Sequence, residues 1–256
     1  MPNSNGPPQE RKYRVIASDL RAAIGRGEYR PAGRLPGEND LMRHYQVARM
    51  TARQALAQLI NEGLAVARKG SGVYVREFRP VIRPGISRLS SRGWGSGRSV
   101  WAEDTAGREL AVDQLEIRRT DPPDHIRLLL DLPDEPGGQV IARSRRYVLD
   151  GKPVLLAVSY LPAALAAGTM IEYRDPGPGG VYARLRELGH GPARFREDLR
   201  SRMPEPEETS RLELPPGTPV VDIARTAYTA DGQIVEVSEM TADASAYVFR
   251  YDFDAH

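Results

Sequence analysis

The sequence contains no cysteine and only four histidines, and these absences exclude several classes of site. Without cysteine there can be no disulfide, no thiolate zinc site and no cysteine nucleophile. The histidines are scattered without HxH or HxxxH spacing, so a histidine-rich metal cluster has little support. We therefore expect no metal and no cofactor.

The sequence also lacks any run approaching about 18 apolar residues, the length that a membrane-spanning helix needs. Its first ten residues, MPNSNGPPQE, are polar and rich in proline and glycine, unlike a charged and then apolar leader. We expect a cytoplasmic protein in which residues 1–10 are disordered. The 256 residues, of which 40% are hydrophobic, are enough for two domains with separate cores.

Charge is distributed unevenly along the chain. Residues 1–98 hold 18 Lys+Arg against 7 Asp+Glu, a balance of +11. Residues 99–256 hold 18 against 27, a balance of −9, so the total of +2 conceals a polar molecule. A basic region binds a polyanion through counterion release, which favours nucleic acid as a partner of the first part.

Three helices are predicted near the start. Apolar residues at three- and four-residue steps indicate one amphipathic helix over Tyr13–Ile24, which is followed by glycines. A short helix is predicted after Pro36 and Gly37 and ends near Gln46, and another extends from about Ala48 to Gly63. The first helix is expected to brace the other two.

A basic hairpin follows the third helix. The β-prone runs Leu64–Val66 and Val73–Val75 are separated by ARKGSG at residues 67–72, which predicts a cationic, flexible tip. Taken alone, this tip could be a solvated loop, and the third helix could be an ordinary amphipathic surface helix. In this order, however, the elements favour a winged DNA-binding domain whose third helix enters the major groove.

The segment Tyr13–Val75 resembles the N-terminal domain of GntR-type bacterial transcription regulators. The resemblance rests on LPGE at 35–38, ARMTARQAL at 48–56, NEGL at 61–64 and GSG at 70–72. Asn39 departs from it, standing where many members carry arginine, and so does Ala48, where serine or threonine is usual; both leave the operator sequence open. With the polar face of the third helix, the resemblance gives these candidate DNA-contacting residues: Arg34, Glu38, Asn39, Arg49, Thr51, Arg53, Gln54, Lys69 and Gly70.

Residues 79–98 are predicted to be a domain linker, because prolines, glycines and serines occur there without a clear period. The arginines at 76–98 have Glu77 as their one nearby acid, so this segment either adds phosphate contacts or is a solvated connector. Trp94 and Trp101 are unusual in a mobile linker, which suggests that its later part docks on the second domain.

The second domain, residues 99–256, is predicted to contain a mainly antiparallel sheet flanked by helices. Two hairpins are indicated by Asp150-Gly151 and Asp231-Gly232 between β-prone runs. A helix is predicted over Gly180–Leu188. The predicted strands are Leu110–Arg119, Val140–Leu149, Val154–Tyr160, Pro219–Tyr228, Ile234–Met240 and Ala246–Phe253.

Residues 143–162, 213–240 and 246–253 resemble the UTRA ligand-sensing domain of the HutC branch of GntR regulators. The resemblance implies an α+β chain, with a winged helix-turn-helix domain at 11–78 and a chorismate lyase-like UTRA domain that binds a small metabolite and forms the dimer. Tyr147 and Ala157 differ from amino-sugar phosphate sensors, which argues against that effector. The residues that fall on cleft positions of relatives are Arg145, Tyr147, Ser159, Tyr160, Glu236 and Tyr247.

The residues themselves leave two roles open. Because side chains alternate along a strand, Arg145 shares a face with Arg143, and Arg146 faces away. Arg145 could receive a carboxylate or phosphate, or it could pair with a surface acid. Glu236 could orient a ligand hydroxyl or lie on a solvent-exposed face.

Together these features predict a ligand-responsive transcriptional repressor that binds a palindromic operator as a homodimer and is not an enzyme. Two alternatives are an enzyme of the lyase-like fold fused to a DNA-binding domain, and a DNA-binding protein whose sensor no longer binds ligand. Stretches such as WGSGRSVWAEDTAGREL also resemble actinobacterial regulators that repress transfer functions.

Overall fold

A computed structural model of the chain describes residues 8–77, 80–85, 89, 108–134 and 137–253. Residue contacts divide the chain into two compact units. The first unit comprises Met1–Arg79 and Leu214–Thr218, and the second comprises Pro80–Glu213 and Pro219–His256.

The first unit contains the three predicted helices and the predicted hairpin. Helix α1 begins at Pro8, within the ten residues that were expected to be disordered. The elements are α1 (Pro8–Gly25), α2 (Glu38–Tyr45), α3 (Arg49–Asn61), β1 (Ala65–Arg68) and β2 (Gly72–Val75), with β1 and β2 antiparallel.

Local signals in the sequence explain the ends of α2. The Gly37 backbone N–H donates to Asp40 at 3.2 Å, which satisfies a free amide at the helix N-terminus. Gln46 ends the helix in the left-handed region at φ 51. The apolar faces of the helices and hairpin then meet in one core that is formed by Ile16, Ala17, Leu20, Leu35, Leu41, Ala52, Ala55, Leu56, Leu59, Ala65 and Val75.

The second unit is built on a six-stranded sheet in which every neighbouring pair is antiparallel, in the order β4-β5-β6-β9-β8-β7. This confirms the predicted fold class. The strands are β4 (Leu110–Thr120), β5 (Val140–Leu149), β6 (Lys152–Pro162), β7 (Arg194–Arg202), β8 (Val220–Tyr228) and β9 (Ile234–Asp243). The helices are α4 (Asp124–Leu129), α5 (Ala163–Ala166), a 3-10 turn (Met170–Glu172), α6 (Gly180–Glu187) and α7 (Pro206–Arg211).

The two predicted Asp-Gly hairpins are confirmed. Asp150 and Gly151 both have positive φ, 48 and 78, as a tight turn between twisted antiparallel strands requires. Gly232, at φ 92, serves the β8–β9 hairpin. These turns set the register that brings the polar residues of β5, β6, β8 and β9 side by side.

Part of the predicted linker belongs to the second unit. Strand β3 (Val81–Pro84) pairs in parallel with β10 (Tyr247–Arg250). Val81 and Arg83 are both buried, so the prediction of a linker over residues 79–98 is wrong at 81–84. The prolines that suggested a connector lie at the ends of this short strand, where a missing N–H costs little. Trp94 and Trp101 lie outside the described residues.

Within the described residues, no helix combines the length and apolarity that crossing a membrane requires.

Candidate functional site

The exposed face of α3 carries the arginines that were predicted to contact DNA. Arg49 and Arg53 expose about 60% and 59% of their side chains, and Gln54 is exposed beside them. Arg53 donates to both carboxylate oxygens of Glu38, at 2.7 and 3.3 Å. Arg49 donates to Asn39 at 3.2 Å. Helices α2 and α3 thus hold these two guanidinium groups side by side at the surface.

Glu38 is the acid shared by these arginines. Its pKa lies below its usual value, mainly because Arg53 donates a hydrogen bond to it and also because Arg53 and Arg49 carry positive charge nearby. Such surface ion pairs are weak, since water screens them. The phosphate backbone of DNA can therefore replace Glu38 as a partner of Arg53 at little cost in desolvation.

Thr51 does not belong to this surface. Its side chain is buried, with 1% of the residue exposed, next to Ala52 at the start of α3. The expectation that Thr51 contacts DNA is therefore corrected, because the residue has almost no exposed surface. Its neighbours Arg49 and Arg53 point away from the core of the first unit.

The hairpin places further cations at the surface. Lys69 and Gly70 form the exposed tip, and Gly70 has φ 73, in the left-handed region that favours glycine. The exposed Arg34 lies against Gly72, because a Cβ on that glycine would be 3.0 Å from its Nε. Arg68 stacks over the Tyr74 ring at 4.3 Å. Arg68 was not predicted as a site residue, although the hairpin sequence already showed it beside Lys69.

In the second unit, a line of polar residues crosses the sheet, one residue from each of five adjacent strands. Directly paired residues of an antiparallel sheet project on the same side, so these five share one face. We call them the polar row: Arg143 (β5), Ser159 (β6), Ser238 (β9), Arg225 (β8) and Glu197 (β7). Buried polar side chains require hydrogen-bond or ion-pair partners, so the partners of these five residues determine the role that each can have.

Arg145 reaches the centre of the polar row from the same face. Its Nη2 donates to the Ser159 hydroxyl, and the hydroxyls of Ser159 and Ser238 are 2.8 Å apart. Arg146 faces the other side and forms two hydrogen bonds with Asp113, at 2.8 and 2.6 Å. The predicted alternation is therefore confirmed. Of the two arginines, Arg146 is the one that pairs with a surface acid, whereas Arg145 has only hydroxyl partners in the described residues.

Glu236 lies on the face of the polar row and is only 3% exposed, so the alternative of a solvent-exposed face is wrong. Its Oε2 accepts a hydrogen bond from the Tyr182 hydroxyl at 2.5 Å. The same oxygen is 4.0 Å from the Arg225 guanidinium. Tyr182 extends from α6, so that helix covers this part of the sheet.

Arg143 has a structural role. It donates to the backbone carbonyls of Ile171, Tyr173 and Arg174, which ties the turn after α5 to the sheet. Burial, together with the positive charge of Arg145, lowers the pKa of Arg143 to about 10. It remains charged at neutral pH.

The three tyrosines that were predicted to line one cleft occupy two different places. Tyr147 and Tyr247 are buried in one apolar cluster, where Tyr247 stacks against Phe249 at 6.0 Å. Tyr160 is paired with Val237, on the face opposite to Arg145. The expectation that Tyr160 shares a cleft with Arg145 is therefore corrected, because it is separated from Ser159 by one residue step along the strand.

The row ends in a buried ion pair. Arg83 of β3 donates to both oxygens of Glu197, at 3.0 and 2.5 Å, and the two side chains are 2% and 7% exposed. Arg83 thus pairs with an acid that is distant in sequence, and it is neither a phosphate contact nor part of a solvated connector. Arg83, Glu197 and Arg225 were not predicted as site residues, because their partners are distant in sequence. The alternation of side chains within ARTAY at 224–228 predicts that Arg225 lies on one face of a sheet, but it does not predict that Arg225 is buried.

Comparison with known families covers most of the chain. Residues 105–248 match the UTRA domain, and residues 12–75 match the bacterial regulatory proteins of the gntR family. The second match contains α2, α3 and the hairpin, and the first contains the polar row.

Similar proteins extend over nearly the full length. An uncharacterized HTH-type transcriptional regulator of Streptomyces coelicolor is 30% identical over 254 residues, covering 96% of this chain and 94% of that protein. The HTH-type transcriptional repressor NagR of Bacillus subtilis is 26% identical over 245 residues, covering 94% of each. A crystal structure of a GntR-family transcriptional regulator superposes with a TM-score of 0.66 at 25% identity, covering 96% of this chain and 98% of that one.

Proposed function

The chain belongs to the GntR family, in its HutC branch with a UTRA domain, and from this premise we propose how it works as a ligand-responsive DNA-binding regulator. We propose that it is a repressor that leaves its operator when a small anion binds the second unit. The name of the similar NagR protein, a repressor, supports the direction of this response.

The DNA-binding part of the proposal rests on α3 and the hairpin. Arg49, Arg53 and Gln54 are exposed on one helix face, and guanidinium and amide groups are the donors that recognise base edges in a major groove. Lys69 at the hairpin tip supplies a cation for phosphate. One such helix reads few base pairs, so we propose a homodimer on a palindromic operator.

One observation carries the effector part. Arg145 is held over the sheet by the Ser159 hydroxyl and has no acid partner in the part of the chain that the structure describes. A half-buried guanidinium without a counter-charge favours a carboxylate or phosphate in its place. We propose that Ser159 orients Arg145 and that Glu236, held by Tyr182, accepts a hydroxyl of the effector.

The test is release of DNA by an anion. An operator is first selected from random duplexes with the full chain, and its affinity is then measured by fluorescence anisotropy while carboxylates and phosphate esters are added. We expect at least one anion to weaken operator binding of the wild type but not of Arg145→Gln. Arg146→Gln, altered on the other face of the same strand, is the control. Release that is unchanged by Arg145→Gln would contradict the proposed site.

A further inference from the structure

Arg225 is a buried arginine that lacks most of its possible hydrogen-bond partners. It lies in the middle of the sheet on β8 and is 3% exposed. Its Nε and Nη1 are fully buried and have no hydrogen-bond partner among the described residues. Its remaining nitrogen is 4.0 Å from Glu236, which is beyond hydrogen-bond distance. A buried guanidinium with two unused donors carries a large desolvation cost.

The neighbours of Arg225 keep it charged without satisfying it. Burial lowers its pKa, but its nearby acidic groups, the tyrosines Tyr182 and Tyr147 and the carboxylates Glu236 and Glu197, together raise the pKa by more, so the net direction is upward. The Tyr182 ring lies 5.6 Å from the guanidinium carbon. Of the two nearby carboxylates, Glu197 is paired with Arg83. The other, Glu236, already accepts a hydrogen bond from the Tyr182 hydroxyl through its Oε2. Arg225 is therefore a cation that keeps free donors.

The charge on this face of the sheet is unbalanced. Arg83 and Glu197 neutralise each other in a bidentate pair. Among the described residues of this face that are not exposed, the other charges are three guanidinium groups and one carboxylate, which leaves an excess of two positive charges: Arg143, Arg145, Arg225 and Glu236. Both terminal nitrogens of Arg143 donate to backbone carbonyls, so Arg145 and Arg225 are the two groups whose terminal nitrogens are available to an anion.

We propose that Arg225 is a second anion-receiving residue of the effector site, and that the effector carries two separated acidic groups, one held by Arg145 and the other by Arg225. This inference rests on the proposed function, since it adds a second anchor to the same site. Between the two arginines lie Ser159 and Ser238, whose hydroxyls can accept from or donate to polar groups of the ligand.

The register of the sheet sets the length of such a ligand. Ser159, which holds Arg145, and Arg225 stand in the same row and are separated by one strand, β9. Neighbouring strands are about 4.8 Å apart, so the two strands that carry these residues are roughly 10 Å apart. Long arginine side chains shorten this span. A carbon chain of about four to six atoms with an acid at each end fits it, whereas a single compact anion reaches one arginine only.

The inference is tested with the full chain and defined probes. Succinate, glutarate and adipate vary the separation of two carboxylates, butyrate supplies one, and inorganic phosphate supplies a compact dianion. Binding is measured by calorimetry for the wild type, Arg225→Gln, Arg145→Gln and the control Arg146→Gln. We expect a dicarboxylate to bind more tightly than butyrate and phosphate, and Arg225→Gln to weaken it by about 10- to 100-fold, the effect of losing a charge-assisted contact.

The stability of the free protein provides a second readout. If Arg225 serves to bind a ligand, Arg225→Met removes an unsatisfied buried charge, so the melting temperature of the free protein should not fall. The increase in melting temperature that the dicarboxylate causes should disappear. A lower melting temperature with an unchanged dicarboxylate shift would show a purely structural arginine and overturn the inference.

The outcomes separate this inference from the proposed function. If Arg145→Gln abolishes anion binding and Arg225→Gln leaves it unchanged, or if butyrate binds as tightly as every dicarboxylate, the second anchor is refuted and the effector site at Arg145 stands. If no dicarboxylate binds the wild type at all, the second anchor is also refuted, and the proposed function is then judged by release of the operator.

Discussion

Arginines in the two units carry the same charged group in opposite surroundings. Arg49 and Arg53 of the first unit expose more than half of their side chains and interact with Glu38 and Asn39 at the surface. Arg143 and Arg225 of the second unit are buried, and their nearest oxygens are mostly backbone carbonyls or a carboxylate at 4.0 Å. The exposed and the buried arginines therefore differ in how much hydration their guanidinium groups lose when the chain folds.

Desolvation decides what each arginine can bind. An exposed guanidinium exchanges a carboxylate for a phosphate of DNA with little change in hydration, so it suits a contact that forms and breaks with salt concentration. A buried one has already lost its water within the folded unit. It therefore gains more from each hydrogen bond to an entering anion.

The largest effect is expected when the buried ion pair of Arg83 and Glu197 is broken. Glu197→Gln leaves Arg83 without its counter-charge, and removal of one member of a buried pair costs about 3–5 kcal/mol in free energy of unfolding. We expect the second unit to unfold at lower urea concentration, measured by circular dichroism. The double change Arg83→Met with Glu197→Leu should recover most of the loss.

An exposed pair supplies the matched control for this prediction. Arg26 and Glu28 are in contact at 2.6 Å with more than half of each side chain exposed. Glu28→Gln should change the free energy of unfolding by no more than about 1 kcal/mol, the range of surface pairs. If Glu197→Gln and Glu28→Gln cost the same, burial does not distinguish the two kinds of pair.

A smaller effect is expected for the arginines of α3. Arg49→Ala and Arg53→Ala should each weaken binding to the selected operator by about 1–3 kcal/mol if they contact base edges. Fluorescence anisotropy on the operator and on a scrambled duplex measures the difference, with Arg43→Ala, exposed on α2, as a control. Equal losses on both duplexes would instead assign these arginines to phosphate contacts.

Lys69 at the hairpin tip tests the purely electrostatic contribution. Lys69→Ala should weaken all duplexes alike and reduce the slope of log affinity against log salt by about 1, the value for one lost phosphate contact. The measurement is a salt titration of operator binding. A loss restricted to the operator would show that the hairpin reads sequence.

The smallest effect concerns Glu38 and pH. In the folded unit its pKa is held below the usual value by Arg53, so the pair's stabilisation is present above the usual glutamate pKa and is lost as the pH falls through the lowered one. Glu38→Gln should therefore remove less than about 1 kcal/mol of stability at neutral pH and flatten the acid side of the stability curve. Acid titrations of both proteins, followed by circular dichroism, give this comparison. An unchanged acid limb would refute the pairing.

The sequence predicted the elements whose signals are local. Glycine and helix-capping residues delimit α2 and α3, and Asp150-Gly151 specifies its own hairpin. Strand β7 (Arg194–Arg202) was missed because charged residues fill one of its faces, as suits the exposed edge of a sheet, and Glu197 interrupts the apolar residues of the other. Helices α4 and α7, of six residues each, were missed because so few residues show no clear period.

The site was less predictable than the fold. Strand alternation correctly separated Arg145 from Arg146, because that rule depends only on neighbours in sequence. The polar row depends on the pairing of five strands, so Arg225 could not be placed between Ser238 and Glu197 without the sheet order. The prediction that Thr51 contacts DNA was wrong for a related reason. It rested on the polarity of the residue, and polarity alone does not show which side of a helix is buried.

Strand β3 has a consequence for the order in which the chain folds during synthesis. The hairpin and helices of the first unit contact one another within residues 8–77, so they can assemble as soon as they leave the ribosome. Val81–Pro84 must wait for Tyr247–Arg250, since its strand partner is made almost last. Until then Arg83 has no strand to fix it beside Glu197. The helices and hairpin of the first unit can therefore fold well before the sheet of the second unit is complete, whereas Leu214–Thr218, which also belong to the first unit, can join it only late in synthesis.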